Sequence, residues 1–133
     1  MPKIKRLDDR RKHMRYWVQD GAVAVPRSSS AKMGRIIDIS RKGLAVRYTG
    51  EMNWLNGASQ LDIMLIDDDY YYLPKLSAKI ISDYECTFYV SGRMREEKRC
   101  GLEFRNLSGK QLTEIDQFIH KFTVGRVLSF HAF

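Results

Sequence analysis

Asp38-Ile39-Ser40-Arg41-Lys42-Gly43 lies between two apolar runs, Arg35-Ile36-Ile37 before it and Leu44-Ala45-Val46-Arg47-Tyr48 after it. The pattern predicts a strand, a turn and a second strand. Strand side chains alternate faces, so Asp38 and Ser40 are expected on one exposed face and Ile37 and Ile39 on the other. Gly43 closes the turn, where a missing Cβ permits positive φ and lets another molecule approach the backbone closely. An acceptor, a hydroxyl and a gap meet in one place. The same residue types are also ordinary turn formers, which hydrogen-bond their own backbone.

Outward from this hairpin the strand signals continue. Tyr16 to Val25 reads as a strand or bent strand, interrupted by Asp20-Gly21 and stopped by Pro26. Arg27 to Lys32 is a serine-rich loop. Thr49 to Ser59 is a second loop, holding Trp54, Leu55 and the turn signal Asn56-Gly57. Gln60 to Ile66 alternates, with Leu61, Ile63 and Leu65 on one face and Asp62 and Met64 on the other, as a half-buried strand does. Asp67-Asp68-Asp69 is a polar turn, because calcium loops space their ligands two apart around an obligatory glycine. A strand is expected from Tyr70 to Pro74, resuming from Leu76 to Ile81, and another from Glu85 to Ser91. Gly92 to Lys98 reads as a charged loop. Arg99 to Arg105 alternates again, with Cys100, Leu102 and Phe104 inward and Arg99, Gly101 and Glu103 outward. Six or seven strands at hairpin-like spacing predict an antiparallel barrel or sandwich.

The period then changes. Ser108 followed by Gln111 is a capping-box signal, and Leu112, Ile115, Ile119 and Phe122 share one helical stripe with Phe118 beside it. One amphipathic helix, about 108–123, is expected to close the domain over the barrel, ending near Gly125. The fold class is therefore all-β with a C-terminal α-helix. Residues 126–133 form an apolar tail, which packs on the body or meets a partner.

Composition narrows the partners. The chain has 133 residues, with 23 Lys and Arg against 16 Asp and Glu and a net charge of +7. Residues 1–15 carry Lys3, Lys5, Arg6, Arg10, Arg11, Lys12 and Arg15 against Asp8 and Asp9, seven minus two, or +5. This segment is too polar to fold alone and is expected to be a flexible basic arm preceding a domain over 16–125. A basic arm on a near-neutral body implies an anionic partner. Cys86 and Cys100 fall in apolar strand-like runs and make no disulfide framework or zinc site. His13, His120 and His131 are too scattered for a metal pair. No apolar stretch backs the N-terminal charges, and no run approaches the ~20 residues of a membrane span, so a cytoplasmic protein is expected.

The arm and the hairpin together carry more than either alone. Arg11-Lys12-His13-Met14-Arg15 is an RxxxR spacing, Asp38-x-Ser40-x-x-Gly43 follows after one strand and a loop, and Arg99-Cys100-Gly101-Leu102-Glu103-Phe104 leads into the helix. From about Arg10 to about Lys121 the chain resembles the PilZ family of cyclic di-GMP receptors. The resemblance implies a six-stranded antiparallel β-barrel with a C-terminal helix, no enzymatic activity, no cofactor, and cyclic di-GMP as ligand. It implies Arg10, Arg11, Arg15, Asp38, Ser40 and Gly43 as the ligand-binding residues, and a protein effector to receive the signal. The ligand is a dianion with two guanines. Guanidinium donates in a fork to phosphate or to guanine O6 and N7 and stacks on a base, which suits Arg11 and Arg15. The other guanine edge presents N1–H and N2–H, which Asp38 can accept. Ser40 can add a hydrogen bond, and Gly43 leaves room. Arg10 makes an RR pair with Arg11, similar to family members that take an intercalated ligand dimer, and Arg6 with Arg10 repeats the RxxxR spacing. A bulky side chain from a later strand is expected beneath the guanine, at a position the sequence does not fix. Arg41, Lys42 and Arg47 could touch phosphate, yet exposed basic residues on a turn and strand are more often solvated.

Two other functions compete. A small basic barrel could bind single-stranded nucleic acid, using the arm and the exposed members of Tyr70 to Tyr72 as a stacking platform. Consecutive tyrosines alternate faces, so at least one belongs to the core, and the positive charge is not expected to continue along the sheet. A PilZ-like adaptor working through protein contacts without ligand is the other alternative. No paired carboxylates, nucleophilic set, phosphate-cradling glycine loop or metal cluster points to an enzyme.

Overall fold

The apolar positions at period two build a closed sheet, and those at helical spacing build a lid across it. The computed structural model describes residues 14–28, 32–50, 54–55, 57–66 and 71–128, the Val90 side chain excepted. Its strands are β1 (Tyr16–Val18), β2 (Ala22–Pro26), β3 (Gly34–Ile39), β4 (Gly43–Tyr48), β5 (Gln60–Leu65), β6 (Tyr72–Val90), β7 (Arg93–Phe104) and β8 (Thr123–Arg126), with helix α1 (Gly109–Phe122) between the last two. Six strands in the order β2-β5-β6-β7-β4-β3 close into an antiparallel barrel through the pairs Val23 with Arg35 and Ala24 with Gly34.

The barrel interior takes the inward residues of every strand. Ala24, Ile39, Val46, Leu61, Ile63, Leu76 and Cys100 are fully buried. Ser108 caps α1: its hydroxyl accepts from Gln111 N–H at 3.1 Å while Gln111 Oε1 accepts from Ser108 N–H at 3.0 Å. The helix buries Ile115, Phe118 and Phe122, and Tyr71 packs against both phenylalanines with ring centroids 5.6 and 5.1 Å apart. Phe118 thus stands at the centre of the buried stripe, while Leu112 is only half-buried. Each fully buried Phe or Ile contributes about 1.5–3 kcal/mol.

The arm's root and the end of the described chain are joined. β1 pairs with the end of β3 on one side and with β8 on the other. Val127 N–H donates to Arg15 O at 2.8 Å, and Val127 is buried, so the tail packs on the body as far as it is described.

Three sequence expectations need correcting. The expected strands from Tyr70 to Ser91 are one 19-residue strand, β6, and the expected loop Gly92 to Lys98 is mostly strand β7. Pro74 does not end the strand because it sits in a bulge: Leu61 pairs with Leu76 and Ile63 with Leu73, leaving Pro74 and Lys75 opposite Asp62. Lys75 there has φ +59°. The charged stretch is the outer part of a two-stranded ribbon turned by Ser91-Gly92, both at positive φ as a two-residue hairpin loop requires. Tyr16 to Val25 is divided at Asp20-Gly21 into two strands that both pair with β3, β1 having β8 and β2 having β5 on the other side.

Candidate functional site

The hairpin does not expose Asp38 and Ser40 as simple alternation predicts. Ile36 pairs with Val46 and Asp38 with Ala45, leaving Ile37 as an extra, bulged residue. Ile36 and Ile39 therefore both enter the core, and Ile37 is half-buried. Asp38 is 1 % exposed and Ser40 6 %. A buried carboxylate requires hydrogen-bonded cations, and two are present. Arg15 Nε donates to Asp38 Oδ1 at 3.0 Å, and its NH2 group to Oδ1 at 2.7 Å and Oδ2 at 2.8 Å. Arg99 NH2 donates to Oδ2 at 3.0 Å, and its NH1 lies 3.4 Å from the Tyr84 hydroxyl. Four donated bonds fill the roughly four acceptor positions of a carboxylate.

The turn itself is self-bonded. Ser40 N–H donates to Gly43 O at 2.8 Å, and Ser40 Oγ accepts from Lys42 N–H at 3.0 Å. Lys42 O accepts from Phe104 N–H at 2.7 Å, fastening the turn to β7. Gly43 does not have positive φ, contrary to the sequence reading. It is glycine because of close approach: a Cβ would collide with the backbone carbonyl of Leu102. Gly101 is similar, with a Cβ position 2.5 Å from Ser82 Oγ.

These residues form a cleft of about 340 Å³ on the outer wall, where Arg15, Asp38, Ser40, Lys42 and Gly43 meet Ile81, Ser82, Arg99, Gly101 and Glu103. Arg15, Lys42 and Arg99 oppose Asp38 and Glu103, a small positive excess. Ile81 is the extra residue of a third bulge, between the pairs Ile80 with Leu102 and Ser82 with Gly101. It is 63 % exposed, an apolar side chain held out beside the cleft.

The structure thus brings together four of the six expected residues, Arg15, Asp38, Ser40 and Gly43. Arg10 and Arg11 lie outside the described residues. The cleft also takes in Arg99, Ile81 and Ser82, which the sequence does not mark as site residues. Arg99 was legible as outward-facing, but no sequence signal pairs it with Asp38, and the bulge that exposes Ile81 breaks the alternation by which a strand is read.

Of the three tyrosines weighed as a stacking platform, the two that are described part company, Tyr72 being exposed and Tyr71 packed inward. Tyr71 packs beneath the helix, and the Tyr72 hydroxyl donates to Asp62 at 3.0 Å; Tyr70 lies outside the described residues. The expectation that positive charge stops at the arm is wrong, because Arg35, Arg47 and Arg99 are cross-strand neighbours. Among the described residues no group of three His, Cys, Asp or Glu could hold a metal.

A sequence model of the PilZ domain matches residues 9–121. The chain belongs to the PilZ domain family. Solved structures carry the same fold. The PilZ domain with c-di-GMP of YcgR from Escherichia coli is 16 % identical with a TM-score of 0.69, over 85 % of this chain and 91 % of that one. MrkH of K. pneumonia, described as a c-di-GMP-dependent transcription regulatory factor, is 12 % identical with a TM-score of 0.66, over 83 % of this chain and 49 % of that one. PlzA of Borreliella burgdorferi, in complex with c-di-GMP, is 14 % identical with a TM-score of 0.57, over 90 % and 55 %. The chain spans about half the length of MrkH and PlzA. No curated protein sequence matches it. At these identities the likeness establishes the PilZ fold, a six-stranded barrel with its closing helix.

Proposed function

We propose that this PilZ domain binds cyclic di-GMP in the cleft around Asp38 and relays binding, through its arm, to a protein partner in the cytoplasm. The reading rests on one observation: a fully buried carboxylate held between Arg15, at the root of a basic arm, and Arg99, in the barrel wall, beside an open cleft. The acceptor positions of Asp38 are already taken, so binding is an exchange. Guanine N1–H and N2–H replace Arg15 on the carboxylate, and the released guanidinium turns to phosphate or to the guanine O6 and N7 edge. Arg99 stays, keeping Asp38 neutralised. Lys42 and the arm residues Arg10 and Arg11 supply charge for the second phosphate, Ser40 a hydrogen bond, and Ile81 an apolar surface beneath a base. Moving Arg15 moves the arm, which gives binding a conformational output. No helix of the described residues is long and apolar enough to cross a membrane.

Calorimetry with cyclic di-GMP tests the reading. The native chain should bind, Arg11→Ala, Arg15→Ala and Asp38→Ala should each weaken binding by about tenfold or more, and the stoichiometry reports whether one or two ligands enter. No heat from the native chain at roughly tens of micromolar ligand overturns it.

A further inference from the structure

Strand register places a second basic feature on the outer wall. Arg35 pairs with Arg47 and Arg47 with Arg99, so three arginines stand side by side on β3, β4 and β7, separated by about 4.8 Å per strand. Like charges directly opposite one another repel. Arg99 is answered by Asp38. Arg47 holds its guanidinium 5.4 Å from the centre of the Phe88 ring, whose face attracts a cation. Arg35 is exposed. Among the described residues neither Arg35 nor Arg47 has a carboxylate at ion-pairing distance.

Both line a groove of about 180 Å³ whose apolar side is Val18, Ile37 and Phe88 and whose single acidic lining residue is Asp20. The groove is separate from the Asp38 cleft, to which Arg35, Arg47 and Phe88 do not contribute. It adjoins that cleft through Arg99, the third member of the row.

We propose that this groove docks an acidic segment of a protein partner. A carboxylate seats between Arg35 and Arg47, and a neighbouring aliphatic or aromatic side chain lies on Ile37 and Phe88. The charge complementarity is local. The two guanidinium groups without a carboxylate partner span a single strand spacing, too short a track for a nucleic acid backbone, which engages several phosphates in succession. A short acidic motif with an apolar neighbour meets both features of the groove.

The probe is a fluorescein-labelled peptide alternating Glu and Leu, titrated by fluorescence anisotropy against the full chain, with a Lys and Leu peptide as control. The native chain should bind the acidic peptide alone, in a salt-sensitive way. Arg35→Gln/Arg47→Gln should weaken that binding by about tenfold or more, and Phe88→Ala should weaken it less. Cyclic di-GMP affinity of the double variant should stay within about threefold of native, which keeps failure of the groove distinct from failure of the cleft. The proposal is overturned if the native chain ignores the acidic peptide, if the double variant binds it as well as native, or if cyclic di-GMP affinity falls in parallel. It is likewise overturned if a single-stranded oligonucleotide occupies the groove and the peptide does not.

Discussion

Arg15 and Asp38, 23 positions apart, are joined by three hydrogen bonds of 2.7, 2.8 and 3.0 Å, and Asp38 holds a fourth from Arg99. Either arginine alone leaves the buried carboxylate one cation. Arg15→Ala and Arg99→Ala are therefore each expected to cost about 1–2 kcal/mol of folding stability. The double variant leaves an unpaired buried charge and should cost more than the sum of the two, by about 1 kcal/mol or more. Urea denaturation of the four proteins measures the coupling, and simple additivity would remove the shared role of the two arginines.

Gly43 and Gly101 are expected to differ in tolerance. At Gly43 the obstacle to a Cβ is the Leu102 backbone carbonyl, which cannot step aside without distorting the β4–β7 ladder. At Gly101 it is the Ser82 hydroxyl, which can rotate. Gly43→Ala should cost about 2–3 kcal/mol and Gly101→Ala about 1 kcal/mol or less. Thermal melts rank the two, and equal tolerance would mean the turn is not packed against β7 as described.

A pH dependence follows from Asp62. Its burial alone raises the carboxyl pKa, but hydrogen bonds from Lys75 N–H, Arg27 and Tyr72 outweigh this and leave it below the ordinary 3.8. A depressed folded-state value contributes stability that is present above the unfolded pKa and lost as pH falls through the folded one. The native chain should exceed Asp62→Asn in stability at neutral pH, and the gap should close as pH drops below about 4. A gap that persisted at lower pH would show that the Asp62 charge is not what holds the Lys75 bulge.

The two cysteines should separate chemically. Burial, then the neighbouring Asp83 charge, pushes the Cys100 thiol up to about 12 against the opposing effect of Lys98, whereas Cys86 is half-buried on the ribbon. At about pH 8 a disulfide reagent should modify Cys86 in the native protein and reach Cys100 only on unfolding. Peptide mapping after labelling reads this directly. Early modification of Cys100 would mean that the barrel opens locally at β7.

The barrel was legible where its residues obey one rule at a time. Leu61, Ile63 and Leu65 alternate and are buried; Ser108 and Gln111 form the capping box their spacing predicts. Legibility failed where a bulge changed the parity. Ile37, Lys75 and Ile81 each shift a strand by one residue, and at each the side chains beyond it trade faces. The ribbon was misread because both its faces meet solvent, so Arg93 to Lys98 lacks the apolar alternation that marks a strand. Asp38 is marked as a candidate by its motif, while Arg99, its second partner from 61 positions away, becomes visible only once β3 and β7 are set on either side of β4.

The bond from Val127 N–H to Arg15 O ties together two residues 112 positions apart, near the two limits of the described chain. The residue whose side chain grips Asp38 is, through its carbonyl, the last rung of the β1–β8 zipper. On the proposed exchange at Asp38, a shift of Arg15 would be felt at Val127 through this one backbone bond. A spectroscopic label placed just beyond Val127 would read occupancy of the cleft without touching it.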